Sequence, residues 1–303
     1  MPRVAPQTYT RICRVALAML CIIVVTGSAV RLTGSGLGCS DWPRCNAEKF
    51  IDVSSTHGAI EQVNRLFTGL VAAAVVAAVL AARVREPRRR DLVLLAWGLV
   101  AGVLAQVVLG GIVVLTGLHP VANQGHFVLS MILVANAVIL VRRSQQEPGP
   151  QHSVVEARDE RFIRALFVMG SLTILTGTVV TGAGPHAGDE NAPRFDLAIT
   201  TVARVHGVTV MATLVLCLVL ALRFRRATKE VKTVQSALET VLAVGALQAT
   251  VGYVQYFSDV PALLVGVHIA GATAFFISLT NLVLSAREPM VHDMEASLVT
   301  AAR

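Results

Sequence analysis

The chain has 303 residues, 54% of them hydrophobic and 15% charged, with a mean hydropathy of +0.65, a balance that excludes an ordinary soluble domain and indicates a membrane protein. The net charge of +7 would suit a nucleic-acid binder, but of all Lys and Arg only Arg31, Arg44, Lys49, Arg65, Arg194 and Arg204 lie outside the N-terminal flank, the even-numbered loops and the C-terminal tail. That is the positive-inside pattern of a multi-pass chain with cytoplasmic N- and C-termini, and nucleic acid is not expected as a partner.

Eight apolar stretches are long enough to cross roughly 30 Å of hydrocarbon, which takes about 20 residues each. They cover about 12–30, 58–82, 92–117, 123–141, 162–181, 198–222, 237–257 and 260–285. Helices are expected throughout, because backbone polar groups in lipid must be satisfied within their own segment. The fold class is therefore an all-α membrane protein, with eight transmembrane helices arranged as two pseudo-symmetric four-helix bundles.

The first stretch follows Arg11 and Arg14 and ends in Gly27, Ser28 and Ala29, which imitates a secretory signal. The internal repeat described below requires it as a permanent helix. In the first external loop Cys39 and Cys45 flank Ser40-Asp41-Trp42-Pro43-Arg44. Facing an oxidising compartment, they are expected to form a disulfide, with a redox-relay thiol pair as the alternative. Cys13, Cys21 and Cys217 fall within helices and read as small apolar fillers.

The second helix carries His57, Glu61 and Asn64 at i, i+4 and i+7, and so on one face. A carboxylate there is costly unless it pairs with Arg65 four residues on or serves chemistry. The third and fourth helices hold Gln106, Gly110 and His126. A polar link around residues 142–161, with Pro148, Gly149 and Pro150, divides the chain into halves, 1–150 and 151–303.

Sliding the sequence by 142 residues pairs Ala101 with Ala243, Gln106 with Gln248, Gly110 with Gly252 and His126 with His268. Asn64 falls on His206 at the same offset. Thr33-Gly34-Ser35-Gly36 meets Thr181-Gly182-Ala183-Gly184 at a larger one, because the first external loop is longer. Four helices per half is an even number, so both halves run in the same direction about an axis along the membrane normal.

Of the eight histidines, His152 and His292 lie in cytoplasmic segments, His119 and His186 in external loops. His126, His206 and His268 each lie one to two turns into an even-numbered helix, on the order of 8–12 Å deep at 1.5 Å per residue. A lone histidine can be a hydrogen-bonded core residue, but ionisable groups in a membrane are functional candidates. His206 and His268, at matching depth in one half, suit the two axial positions of a low-spin haem iron. Zinc fits less well, since structural sites want four ligands. In the first half Asn64, an amide and a poor iron ligand, stands at the counterpart of His206. A haem there would be five-coordinate through His126, or would need another ligand such as His57.

The order Thr33 to Cys39 (Thr-Gly-Ser-Gly-Leu-Gly-Cys), Trp42-Pro43-Arg44-Cys45, Ile60-Glu61-Gln62-Val63-Asn64-Arg65, His126-Phe127, Arg204-Val205-His206 and Val267-His268 resembles the haem A synthase family along the whole chain. The resemblance implies a membrane oxidoreductase that converts a methyl group of haem O to a formyl group, by successive hydroxylations of one carbon and loss of water. It implies haem b on His206 and His268, haem O as substrate on His126, and Glu61 as the active-site acid. Haem O synthase and cytochrome oxidase assembly proteins are the implied partners, with an electron donor that the sequence does not identify. Two departures from the family pattern stand out. Asn64 replaces a histidine, and the loop Gly184-Pro185-His186-Ala187-Gly188-Asp189 has no cysteines. Two further classes are consistent with buried histidines: a dihaem b-type electron-transfer cytochrome, which would favour two saturated irons, and a haem carrier, which would not need Glu61.

Overall fold

The computed structural model describes residues 3–225 and 231–290. Its helices are α1 Pro6–Leu32, α2 Thr56–Val84, α3 Arg90–Leu115, α4 Pro120–Gln145, α5 Ala157–Ala183, α6 Ile199–Phe224, α7 Lys232–Phe257 and α8 Ala262–Ser285. All eight are long and apolar enough to cross a membrane, and the chain is an integral membrane protein. His292 lies outside the described residues.

Most helices run past the apolar stretches that announce them. α1 begins at Pro6 and α4 continues to Gln145, because hydropathy marks the hydrocarbon whereas helical hydrogen bonding continues into polar residues beyond it. The polar link is accordingly shorter than its composition suggests, and part of it, β1 (Gln151–Ser153), pairs antiparallel with β2 (Arg287–Pro289). Composition gave no sign of this small sheet. At two turns the helices stop earlier: α3 ends at Leu115, and α8 begins only at Ala262. In both places two residues take positive φ, Gly117 and Leu118 in one turn, Asp259 and Val260 in the other. Leu118 N–H donates to the Val113 carbonyl at 2.8 Å and Val260 N–H to the Gln255 carbonyl at 3.0 Å, closing the helix ends in the manner of a Schellman turn.

The bounds of α3 and the start of α4 recur in α7 and α8 shifted by 142 residues, and so do the two turns; only the far end of α8, at Ser285, falls two residues short of that offset. Within residues 1–145, α1 packs on α2 and α4, and α3 on α2 and α4. Within residues 157–285, α5 packs on α6 and α8, and α7 on α6 and α8. The two groups meet through α1, α4, α5 and α8. Polar bonds reinforce that seam. Gln124 Nε2 donates to Thr178 Oγ1 at 2.7 Å, and Arg31 donates to the carbonyls of His186 (2.6 Å) and Thr181 (2.8 Å).

The two ends of the bundle differ in charge. At the end carrying the even-numbered loops, Arg89 is 5% exposed; it pairs with Asp91 at 2.6 Å and donates to the Arg143 carbonyl at 3.0 Å. Arg223 pairs with Asp159 across α5 and α6 at 2.6 Å. Buried Arg89 thus supplies a donor to the last turn of α4, whose carbonyls would otherwise lack one.

The core of the second group is aliphatic, with Leu166, Leu220, Leu238, Leu279 and Leu282 at most 1% exposed. Lipid is as apolar as leucine, so packing rather than transfer from water holds such a core together. Leu279 of α8 lies directly against Gly170 of α5, where an added Cβ would overlap it. Leu279→Ala should therefore lose the cavity contribution but little transfer energy, about 2 kcal/mol at the low end of buried leucine truncations. Unfolding in mixed micelles by increasing detergent denaturant measures this, and an unchanged midpoint would contradict the packing described.

Candidate functional site

α6 and α8 stand diagonally across the second group and present His206 and His268 to each other. Their ring centroids are 6.5 Å apart with the planes at 80°. A metal between two imidazole nitrogens needs a bond of about 2 Å on each side. With the ring radii added, the centroid spacing comes to about 6 Å, so the two rings already stand at the distance for axial ligation. His206 Nδ1 lies 3.1 Å from Thr176 Oγ1 on α5, the kind of outer partner that fixes an imidazole and leaves its other nitrogen for a metal. Among the described residues no group of three or more His, Cys, Asp or Glu could hold a metal ion. The site therefore suits a cofactor that supplies its own equatorial ligands, as a porphyrin does, rather than a bare zinc ion.

Backbone devices set the depth and swing of these rings. A Cβ on Gly252 of α7 would stand 2.9 Å from His268 Cε1, and one on Gly177 of α5 would stand 3.1 Å from His206 Cε1. Gln248 on α7 donates its amide N–H to the His268 carbonyl. At the corresponding place in the first group, Gln106 on α3 donates to the His126 carbonyl at 3.0 Å and contacts Ser130 Oγ at 2.6 Å. A Cβ on Gly110 would stand 3.4 Å from His126 Cε1. A side-chain donor on a carbonyl inside the membrane satisfies a group that lipid cannot, and so locks one helix against its neighbour.

The third imidazole, His126, has no ring facing it among the described residues as His206 faces His268. Its Nδ1 and the Oδ1 of Asn64 are buried without a hydrogen-bond partner among the described residues. Native structures rarely leave such atoms unpaired. Together with the matching glycine and glutamine they fit a bound group on His126, but Asn64 does not fit as a second axial ligand.

The loop 33–55 packs over this first site. Cys39 and Cys45 form a disulfide, as the sequence led us to expect. Glu61, 5% exposed, accepts the Cys39 N–H on Oε2 at 2.7 Å, and accepts Arg65 Nε and Nη2 on Oε1 at 3.0 and 2.6 Å. Arg65 also donates to the carbonyls of Asp41 (3.1 Å) and Arg44 (3.0 Å). The Glu61–Arg65 pairing raised as one reading of the sequence is thus present, and it ties α2 to the disulfide loop. Trp42 lies against Gly111, where an added Cβ would come within 2.8 Å of the indole, one residue from the glycine that faces His126. Within the same loop, the side chain and backbone of Ser54, with Asn46 and Lys49 helping, hold the Asp52 carboxyl down at about 2. Ionised Asp52 therefore keeps the loop tied at ordinary pH and releases it only as the pH falls toward that value.

Three further histidines lie near the same end of the bundle. His57 lies in the first turn of α2, exposed, with Nδ1 2.8 Å from Ser35 Oγ. His119 is the residue before α4. His186 Nε2 donates to the Val260 carbonyl at 2.7 Å, pinning the α5–α6 loop to the α7–α8 turn. Sequence reasoning singled out neither Arg31 nor the pair Gln124–Thr178. Their partners are more than 50 residues away, and no local periodicity reports such contacts.

An eight-helix bundle with an imidazole pair spaced as axial ligands would be, and a third imidazole at the corresponding place, defines a polytopic membrane protein with candidate haem ligands. The chain belongs to the COX15-CtaA family, described as cytochrome oxidase assembly protein, whose profile matches residues 10–57 and 50–280. It is similar to the haem A synthase of Exiguobacterium sibiricum (27% identity over 165 residues, 54% of this chain and 56% of the relative) and to that of Geobacillus kaustophilus (32% over 143 residues, 45% and 44%). In these matches the chain spans about half the length of the relative. With the haem A synthase of Bacillus cereus the likeness is 23% over 298 residues, 93% of this chain and 94% of that one.

The close approach of the loop to α2 can be tested directly. A Cβ on Gly38 would collide with the His57 carbonyl and stand 2.7 Å from Gly58 N; both are backbone atoms that cannot turn aside. Gly38→Ala should therefore lift the loop, break the Cys39–Glu61 bond and destabilise this region by about 1–3 kcal/mol. Hydrogen exchange of residues 33–62 should rise several-fold, and unchanged protection would show that the loop is not seated as described.

Proposed function

We propose that the chain is a haem A synthase, which oxidises a methyl group of haem O to a formyl group. The observation that carries this reading is the 6.5 Å imidazole pair beside a corresponding site that has only one imidazole, in a chain of this family. Haem b is the resident cofactor on His206 and His268, and haem O is the substrate on His126. Residues 1–150 form the substrate half and 151–303 the haem b half. The basic even-numbered loops support cytoplasmic termini, and on that orientation all three imidazoles stand toward the outer face. Bound haem b supplies one-electron redox chemistry that the side chains lack.

The protein's own part is positioning and proton handling. Gln106 and Gly110 set the depth and swing of His126, and hence where the substrate's edge can lie against α2. Glu61, one turn from Asn64, is the proton-exchanging carboxylate. Its three N–H contacts fix the carboxylate in place beside Asn64, where it can exchange a proton with water or with the substrate. Trp42 and the disulfide loop keep bulk water from the site. A haem O synthase would supply the substrate and cytochrome oxidase assembly would consume the product, with an electron donor outside the chain.

The test is pigment extraction from membranes of cells that make haem O, with and without this chain. Formyl-bearing haem should form only with it. Two retained low-spin haems and no formyl pigment would instead make it an electron-transfer cytochrome. In the same assay Glu61→Gln should lower haem A formed per mole of haem b-loaded protein by at least tenfold. Full conversion by well-folded Glu61→Gln would leave this carboxylate with only the tie to Arg65 and Cys39.

A further inference from the structure

Asn64 occupies on α2 the place that His206 occupies on α6, and its amide Oδ1 is buried without a partner among the described residues. Its Nδ2 lies toward α1, 4.0 Å from where a Cβ on Gly27 would stand. The other imidazole on that helix, His57, is two turns away, about 10 Å along the axis. It is already engaged with Ser35 Oγ at 2.8 Å. Glu61 is taken up by Arg65 and the Cys39 N–H, and Thr68 donates to the Asn64 carbonyl at 3.3 Å. No side chain on this face of α2 is thus both free and able to ligate iron where His206 does so in the second half. A carboxamide oxygen is a weak ligand to haem iron, whereas the amide group, with its NH2 donor and its oxygen acceptor, can hydrogen-bond a small molecule.

On the proposed reading of the first half as the substrate site, we infer that the substrate haem is five-coordinate through His126 alone, with the Asn64 amide over an open sixth position. The two halves then differ in kind. The second is saturated by two imidazoles and can only exchange electrons, while the first keeps a position for a small ligand, with an N–H donor beside it and an acceptor that is otherwise unsatisfied. One substitution in a duplicated framework separates an electron-carrying site from a ligand-binding one.

The experiment uses the full-length protein purified from cells that make haem O, reduced, with carbon monoxide as the probe. One carbon monoxide per chain should bind, at a haem that His126→Ala removes. Asn64→Leu should keep that stoichiometry but shift the carbon monoxide stretching frequency, because the amide donor is gone. Asn64→His should fill the position, turn this haem low-spin and abolish carbon monoxide binding, while the low-spin signal of the second half persists and reports correct folding. Two low-spin haems and no carbon monoxide binding in the wild-type protein, with haem A still formed, would overturn the inference and leave the functional reading standing. A stretching frequency unchanged in Asn64→Leu would remove Asn64 from the open position and overturn it as well. If no haem depends on His126 and no haem A forms, both the inference and the functional reading fail.

Discussion

Two imidazoles held 6.5 Å apart across a four-helix group are the constraint on which the rest of the structure depends. Neither ring can move by an ångström without losing the spacing for axial ligation, yet each sits on a helix in a solvent that offers no hydrogen bonds. The surrounding residues meet this demand by satisfying polar groups and clearing space. Gln248 ties the His268 carbonyl to α7, Gly252 admits the ring, and Thr176 holds the Nδ1 of His206. The bounds of α7 and α8 and the turn between them fix the height at which all of this happens.

The first group repeats the frame and changes the contents. Gln106, Gly110 and His126 reproduce the α7–α8 arrangement on α3 and α4, whereas α2 offers an amide, a buried carboxylate and an arginine. Burying Glu61 and Arg65 unpaired would cost several kcal/mol, and removing either partner would leave the other exposed to that cost. The pair is used instead to fasten the disulfide loop over the site, through one backbone N–H and two backbone carbonyls. The extra length of this loop relative to the second half thus corresponds to a cover, with Trp42 resting on Gly111 beside the glycine that faces His126.

Much of this was legible in the sequence because membrane solvation leaves few options. Eight apolar runs imply eight helices, a histidine within one stands out against its neighbours, and the offset that joins Gln106 to Gln248 and His126 to His268 exposes the repeat. The Cys39–Cys45 disulfide followed from spacing and compartment. Helix ends were less legible, since α4 continues to Gln145 in residues that hydropathy counts as loop. The bonds from Arg31 to the α5–α6 loop and from Gln124 to Thr178 were not legible at all. They join segments brought together only by the packing of one group on the other. Glu61 shows a subtler limit. Its spacing from Arg65 allowed a pair and its face suggested chemistry, but only the fold shows the Cys39 N–H completing its coordination.

The most direct test of the account is the electron paramagnetic resonance spectrum of the oxidised, full-length protein, compared with those of His268→Ala and His126→Ala. The account predicts a low-spin, bis-imidazole haem signal in the wild-type protein that His268→Ala abolishes and His126→Ala leaves in place. A low-spin signal that survives His268→Ala, or one lost through His126→Ala instead, would contradict the assignment of the resident haem to His206 and His268.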